Sequence, residues 1–221
     1  MKILKLNELD TLLNKKVEPY LNIFENVLPY VRVEEFEANE NIVYFDKPIQ
    51  YVRYLISGKA KISLIHEDGK RTIIDFIGPS EFIGELSFLE IEAHPKDVVA
   101  LSTCLCLSVP LDLTKSSLMS DAKFLLNLSR YIGTKLLKRT WFNTKNQNYE
   151  LKNRLAAYIL MSESEGIYKE KHTETAEFLG VSYRHLLYTL KVFQDEQLIV
   201  KQKKGYKVNF KALKTLSRDI K

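Results

Sequence analysis

The chain has 221 residues, a formal net charge of +5, 45% hydrophobic residues and 11% aromatic residues. That length suits two modest domains with their own cores, and the composition is too apolar and aromatic for a disordered chain. No run approaches the roughly 20 uninterrupted apolar residues of a membrane-spanning helix. The N-terminus, MKILKLNELDTLLNKK, lacks the apolar core and small-residue cleavage site of a secretion signal, so a cytoplasmic protein with no membrane partner is expected. Cys104 and Cys106 are the only cysteines, too few for a disulfide scaffold or an all-protein zinc site. Charge is unevenly spread. Glu34, Glu35, Glu37, Glu40 and Asp46 crowd one segment, whereas the chain from Lys201 reads KQKKGYKVNFKALK with few acids before Asp219. A localised basic end fits a phosphate backbone; a solvated lysine face is the alternative.

Taken in order, residues 7–30 read as helical, with Leu9, Leu12, Leu13, Val17 and Leu21 at helical spacing before Pro29. From Val31 the period changes to short β-rich runs: VRVEEF, NIVYF, YVRYLISG, AKISLIH, RTIIDFIG and DVVALSTCLCLSVP. Gly, Pro, Asp and Asn separate them every roughly 8–12 residues, the mark of a sandwich or barrel. Asp68-Gly69 signals a tight hairpin. After Pro110 the chain turns helical again, with one long helix from Ala122 to about Asn148. Leu125, Leu128, Ile132, Leu136 and Trp141 form its apolar stripe, longer than one small domain needs to cover. Dimerisation through Leu125, Leu128, Ile132 and Leu136 is the favoured use of the excess, and packing on the chain's own barrel is the alternative. The polar stretch NTKNQN, residues 143–148, predicts a hinge, and LKNRLAAYILMSES predicts a further helix ending near Gly166.

The segment from His172 to Asp195 is the most informative. Thr173 offers a cap to a short helix, ETAEFL. Ala176 and Gly180 then stand four apart, where a helix–turn–helix needs a small residue and a positive-φ turn. Val181 plugs the core, Ser182 caps the next helix, and Leu186, Leu190 and Phe193 give it a buried side. Thr175 and Thr189 are more polar than the pattern prefers. The exposed side carries Tyr183, Arg184, His185, Tyr188 and Lys191. Arginine grips guanine O6 and N7 with two hydrogen bonds, and tyrosine meets a phosphate or a thymine methyl. The following LIVKQKKGYKVNF alternates around Lys204-Gly205 as a β-hairpin wing, with Lys201, Lys203 and Lys204 toward the nucleic-acid backbone. Double-stranded DNA is the expected partner.

Other chemistry is sparse. Cys104 and Cys106, two apart on a strand, share a face; core packing is favoured over a redox pair. His66, His94, His172 and His185 lack metal-ligand spacing, so no metal and no cofactor are expected. Glu85 and Asp75 have no catalytic partner, and no nucleophile motif, P-loop or dinucleotide fingerprint occurs, so no enzyme is expected. The competing class is a redox or small-molecule receptor whose C-terminal module docks a protein, which the clustered lysines disfavour.

The order helix, β-barrel, long helix and winged helix–turn–helix resembles the bacterial catabolite-activator/FNR (CRP/FNR) superfamily of transcription regulators over nearly the whole chain. The barrel segment YLISGKAKISLIHEDGKRTIIDFIGPSEFIGELSFL matches through Gly58, Asp68-Gly69, Gly78 and Gly84-Glu85-Leu86. NRLAAYIL and AEFLGVSYRHLLY are most similar to the YeiL-type subgroup. The resemblance implies an α+β chain: a cyclic-nucleotide-binding-like β-barrel (jelly roll) over 1–121, a long dimerisation helix over 122–148, and a winged helix–turn–helix over 149–221. It implies a homodimer on a two-fold related operator, with RNA polymerase a candidate further partner. Tyr183, Arg184 and Tyr188 fall where family members contact bases, and Ser182 and His185 fall near phosphates. Tyr183 and Tyr188 replace residues that are often charged, so the operator sequence does not carry over. A candidate effector pocket is formed by Gly84, Glu85, Leu86 and Lys96. Lys96 stands near the position of a phosphate-gripping arginine and Asp97 follows it, which disfavours cyclic AMP. The FNR-type N-terminal cysteine cluster is absent.

Overall fold

The computed structural model describes residues 1–67, 69, 71–92 and 94–217, leaving the side chains of 141–148 aside. The chain divides into two compact units, Met1–Ile62 with Ile77–Lys135, and Ser63–Phe76 with Leu136 onward. Among the described residues no helix is long and apolar enough to cross a membrane.

The first unit starts with β1 (Lys2–Lys5), a strand the sequence pattern missed, which pairs antiparallel with β2 (Arg32–Phe36). Between them lie α1 (Thr11–Val17), capped where the Asp10 side chain accepts from Leu13 N at 2.8 Å, and a 3₁₀ stretch over Glu18–Tyr30. The strands that follow in the chain are β3 (Asn41–Val43), β4 (Tyr51–Ser57), β5 (Ala60–Ile65), β6 (Arg71–Ile77), β7 (Glu81–Ile83), β8 (Asp97–Ala100) and β9 (Cys104–Pro110), of which the end of β5 and nearly all of β6 fall in the second unit. They form one sheet in the order β1-β2-β9-β4-β7 and another in the order β3-β8-β5-β6. The hairpin expected at Asp68-Gly69 lies partly outside the described residues. Gly69 is described, with φ +78° and its N–H donating to His66 O at 2.8 Å.

Register sorts the first sheet into two faces, because directly paired residues point the same way. Val33 pairs with Leu107, and Val52 with Val109; these apolar side chains join Phe24, Phe82, Phe88, Leu118 and Phe124 in one core. The opposite face carries Arg32, Ser108 and Arg53 in one row, with Glu34, Cys106 and Leu55 in the next. Strand β9 is thus buried on both sides, which explains why its sequence is apolar apart from Ser108. Glu34, 0% exposed, is held by Arg53 Nε at 2.6 Å, Ser108 Oγ at 2.8 Å and Arg32 Nη2 at 2.9 Å.

Helices α3 (Leu111–Met119) and α4 (Ala122–Asn148) follow β9. Here the structure corrects two expectations. Leu128 is 1% exposed inside this unit's own core, and Leu125 and Ile132 pack against that core. Of the four predicted seam residues only Leu136 is exposed. The reason is geometric: Leu128 is spent on the chain's own core, and Leu125 and Ile132 are partly covered by it. The hinge predicted at Asn143–Asn148 is helical, since no Gly or Pro there interrupts the hydrogen-bond ladder; the helix ends at Asn148.

Besides Ser63–Phe76 and the end of α4, the second unit holds α5 (Leu151–Ser162), β10 (Ile167–Tyr168), α6 (His172–Leu179), α7 (Tyr183–Asp195), β11 (Ile199–Gln202), β12 (Gly205–Val208) and α8 (Phe210–Leu216). Its core gathers Leu155 and Ile159 of α5, Leu179 of α6, and Leu186, Leu190 and Phe193 of α7. The three strands pair in the order β10-β12-β11. Polar Thr175 is tolerated in this interior because its hydroxyl is satisfied. It donates to Lys171 O at 3.0 Å, lies 2.8 Å from the Tyr168 hydroxyl, and lies 3.4 Å from that of Tyr158. Burial pushes both phenols well above the ordinary tyrosine value. Thr189 is accommodated by back-bonding to His185 O at 3.0 Å.

Candidate nucleic-acid interface

Helix α6 begins at His172 with Lys171 as its N-cap, so Thr173 sits inside the first turn and is not the cap the sequence suggested. Its end follows the prediction. Gly180 takes φ +63°, its N–H donates to Glu177 O at 3.0 Å, and the Val181 N–H reaches back to Ala176 O at 3.0 Å. These bonds satisfy carbonyls at the helix end and turn the chain sharply into α7. Ala176 is buried at the crossing, where a larger side chain would hold the two helices apart.

Ser182 caps α7 as predicted, its Oγ accepting from His185 N at 3.2 Å. Leu186, Leu190 and Phe193 point into the core, and the other face is exposed at Tyr183, Arg184, His185, Tyr188 and Lys191. Tyr188 is 68% exposed, far more than a structural tyrosine needs. No carboxylate occurs from Val181 to Gln194 or from Leu198 to Thr215. The β11–β12 hairpin turns at Lys203-Lys204, leaving Lys201, Lys203 and Lys204 exposed. Among the described residues none of these cations is paired with an acid. The basic face is thus unneutralised, as a surface awaiting phosphates should be.

Three contributions escaped sequence reasoning. Arg154 of α5 donates from Nη1 to Leu179 O at 2.7 Å, tying the helix corner to the preceding helix. Lys207 adds an exposed cation to the wing. His172 lies beside Tyr206, ring centroids 6.0 Å apart, and partial burial, aided by Lys201, holds its imidazole below the ordinary histidine value. Arg154 and His172 have no local signal, because each acts with residues from a separate element, whereas Lys207 lies in the wing segment itself.

The other candidates are dispersed. Gly84 takes φ +87°, and an added Cβ would lie 2.8 Å from Tyr51 O, so backbone packing alone demands glycine there. Glu85 opens the four-residue α2 (Glu85–Phe88), and its buried carboxylate pairs with Lys135 Nζ at 2.9 Å. Leu86 lies in that turn, and Lys96 pairs with Glu92 at 2.6 Å. Asp97 is buried and accepts from Phe45 N at 2.9 Å. Cys104 and Cys106 are fully buried, Cys104 Sγ donating to Lys59 O at 3.1 Å. Burial pushes the Cys104 thiol up to about 11 and Cys106 higher still, opposite to a reactive thiol. No group of three His, Cys, Asp or Glu side chains suited to a metal occurs among the described residues.

Residues 33–121 match the cyclic nucleotide-binding domain family. The chain is 37% identical to the regulatory protein YeiL of Escherichia coli over 190 residues, 86% of this chain and 87% of that protein. A solved CRP/FNR-family transcriptional regulator from Eubacterium rectale superposes with a TM-score of 0.68 at 16% identity, covering 96% of each chain. A CRP/FNR-family regulator from Thermus thermophilus superposes with a TM-score of 0.65 at 19% identity, covering 84% of this chain and 98% of the other. The two solved structures share the α+β architecture, and the YeiL match extends through both units. The chain therefore belongs to the CRP/FNR family of transcription regulators, on its YeiL-like side, and is not an enzyme.

Proposed function

We propose that this protein is a cytoplasmic, sequence-specific DNA-binding regulator that acts as a homodimer on a two-fold related operator, where RNA polymerase is a further partner. The observation that carries the reading is the exposed face of α7 from Tyr183 to Lys191, which holds no acid, flanked by the lysines of the β11–β12 wing. Arg184, Tyr183 and Tyr188 read base edges, Ser182, His185 and Lys191 approach phosphates, and Lys201, Lys203 and Lys204 hold the flanking backbone. Two recognition helices would meet half-sites about one helical turn apart.

The dimer seam we propose differs from the one expected from the leucine stripe. Leu126, Leu136 and Leu137 are 51%, 64% and 62% exposed, and Gly133 has open space around it. Leu126, Gly133 and Leu137 stand at coiled-coil spacing on the side of α4 away from the core. Leu137→Glu should shift the full chain toward monomer in sedimentation velocity. An effector acting through the sheet domain would not be cyclic AMP, since Lys96 is paired with Glu92 and Glu85 with Lys135. The two buried thiols serve packing in this reading.

The deciding experiment is a gel shift with genomic fragments at physiological salt, followed by selection of bound sequences. Specific, salt-sensitive complexes are expected. No retained fragment, or selected sites bound equally well by Arg184→Ala, would overturn the assignment of the reading face and favour a module that docks a protein.

A further inference from the structure

A cavity of about 340 Å³ lies where β2, β3, the 44–50 connection and the first residues of β4 meet, within the size range of small-molecule sites. Its lining combines Arg32, Arg53 and Lys47 with the rings of Phe36, Tyr44 and Tyr51, around a single carboxylate, Glu34. Three cations face one anion, so the cavity carries surplus positive charge. The surplus is also geometrically available. Arg53 is 8% exposed and donates from Nε to Glu34 at 2.6 Å; its terminal nitrogens make no hydrogen bond among the described residues and are open to solvent, not sealed. Arg32 Nε is buried without a hydrogen bond, and so is Glu34 Oε1, which Arg32 Nη2 approaches as an ion pair at 2.9 Å. Both guanidinium groups lie over Tyr51, at 3.8 and 5.1 Å from its ring centroid.

Arg32 Nε and the open terminal nitrogens of Arg53 are guanidinium donors that an entering acceptor would satisfy. A planar fork matches the two oxygens of a carboxylate better than a compact ammonium does, and the aromatic walls suit an apolar body behind it. We propose that this cavity binds a small organic carboxylate, its acid group held by Arg53 and Arg32 with Lys47 at the mouth. The site is separate from the Gly84-Glu85-Leu86 turn and Lys96, none of which lines it. The inference makes the effector part of the proposed function concrete. It is tested without DNA, so its failure and that of operator binding are read apart.

Isothermal titration calorimetry on the full chain, with benzoate, succinate, inorganic phosphate and cyclic AMP as probes, decides it. At least one of the two carboxylates should give a saturable heat that phosphate and cyclic AMP do not. Arg53 variants risk unfolding, so the diagnostic substitutions lie nearer the mouth. Arg32→Lys keeps the charge but loses the fork and should weaken binding about tenfold or more, Lys47→Ala should weaken it less, and Glu85→Gln should leave it unchanged. Absence of saturable heat from both carboxylates, phosphate binding as tightly as either, or full affinity retained in both Arg32→Lys and Lys47→Ala would overturn the proposal.

Discussion

Glu34 in the first unit and Thr175 in the second are both fully buried polar side chains, but different chemistry satisfies them. Glu34 is ionic, set between two arginines and Ser108, and this arrangement leaves Arg32 Nε and Glu34 Oε1 without hydrogen bonds. Thr175 is neutral and closes a small hydroxyl network with Tyr168, Tyr158 and Lys171 O that leaves nothing over. A buried ion pair is expensive to desolvate and gains little over an apolar pair, whereas a matched neutral network fixes packing at low cost. The difference separates an interior built around surplus charge from one built to hold a helix pair rigid. The unit with the neutral network is the one that presents Arg184 and Tyr188 on its surface.

The sharpest way to break this comparison is Arg53→Ala. Removing one partner strands a buried carboxylate, and denaturant unfolding should show a loss of about 3–5 kcal/mol. The double change Glu34→Leu with Arg53→Met should recover most of it; a loss below about 1 kcal/mol in the single variant would mean that Glu34 is not held as an ion. Next in size, Arg184→Ala should cost about 1–3 kcal/mol in operator affinity and relax preference at one base pair, with thermal stability unchanged. Lys204→Ala should weaken all sequences alike and reduce the salt slope of binding by about one. Tyr168→Phe removes one hydroxyl from the neutral network and should cost about 0.5–1.5 kcal/mol, read by the same unfolding experiment. The smallest effect concerns His172, whose pKa is lowered in the folded state first by burial and then by Lys201. The folded chain then resists protonation more than the unfolded one, so stability is fully present above the ordinary value of 6.5 and falls as pH drops through the lowered value. His172→Gln should flatten that acid-side slope.

The DNA-facing segment was legible in the sequence because its signals are local. A serine cap, a small residue four positions before a glycine, and apolar residues on one side of a helix each act within a few residues, and each reappears in α6 and α7. Thr173 misled because capping depends on which residue first leaves helical geometry, and that fell at Lys171. The leucine stripe of α4 was readable as apolar, but its partner was not. Periodicity says that a face is buried, not against what, and Leu128 turned out to belong to the chain's own core. Strand β1 escaped notice because KILK is short and half polar, and its place comes from pairing with β2.

By itself, then, the sequence determined the order of elements, the helix–turn–helix corner and the charge asymmetry, all set by local backbone preference and composition. Only the tertiary structure decided that Arg32, Ser108 and Arg53 stand in one row across three strands and that Glu34 is buried beside them in the next row of the same face. Those residues are far apart along the chain, and only strand register joins them. A one-residue slip of β2 would have turned Glu34 to the opposite face and left no charged cavity.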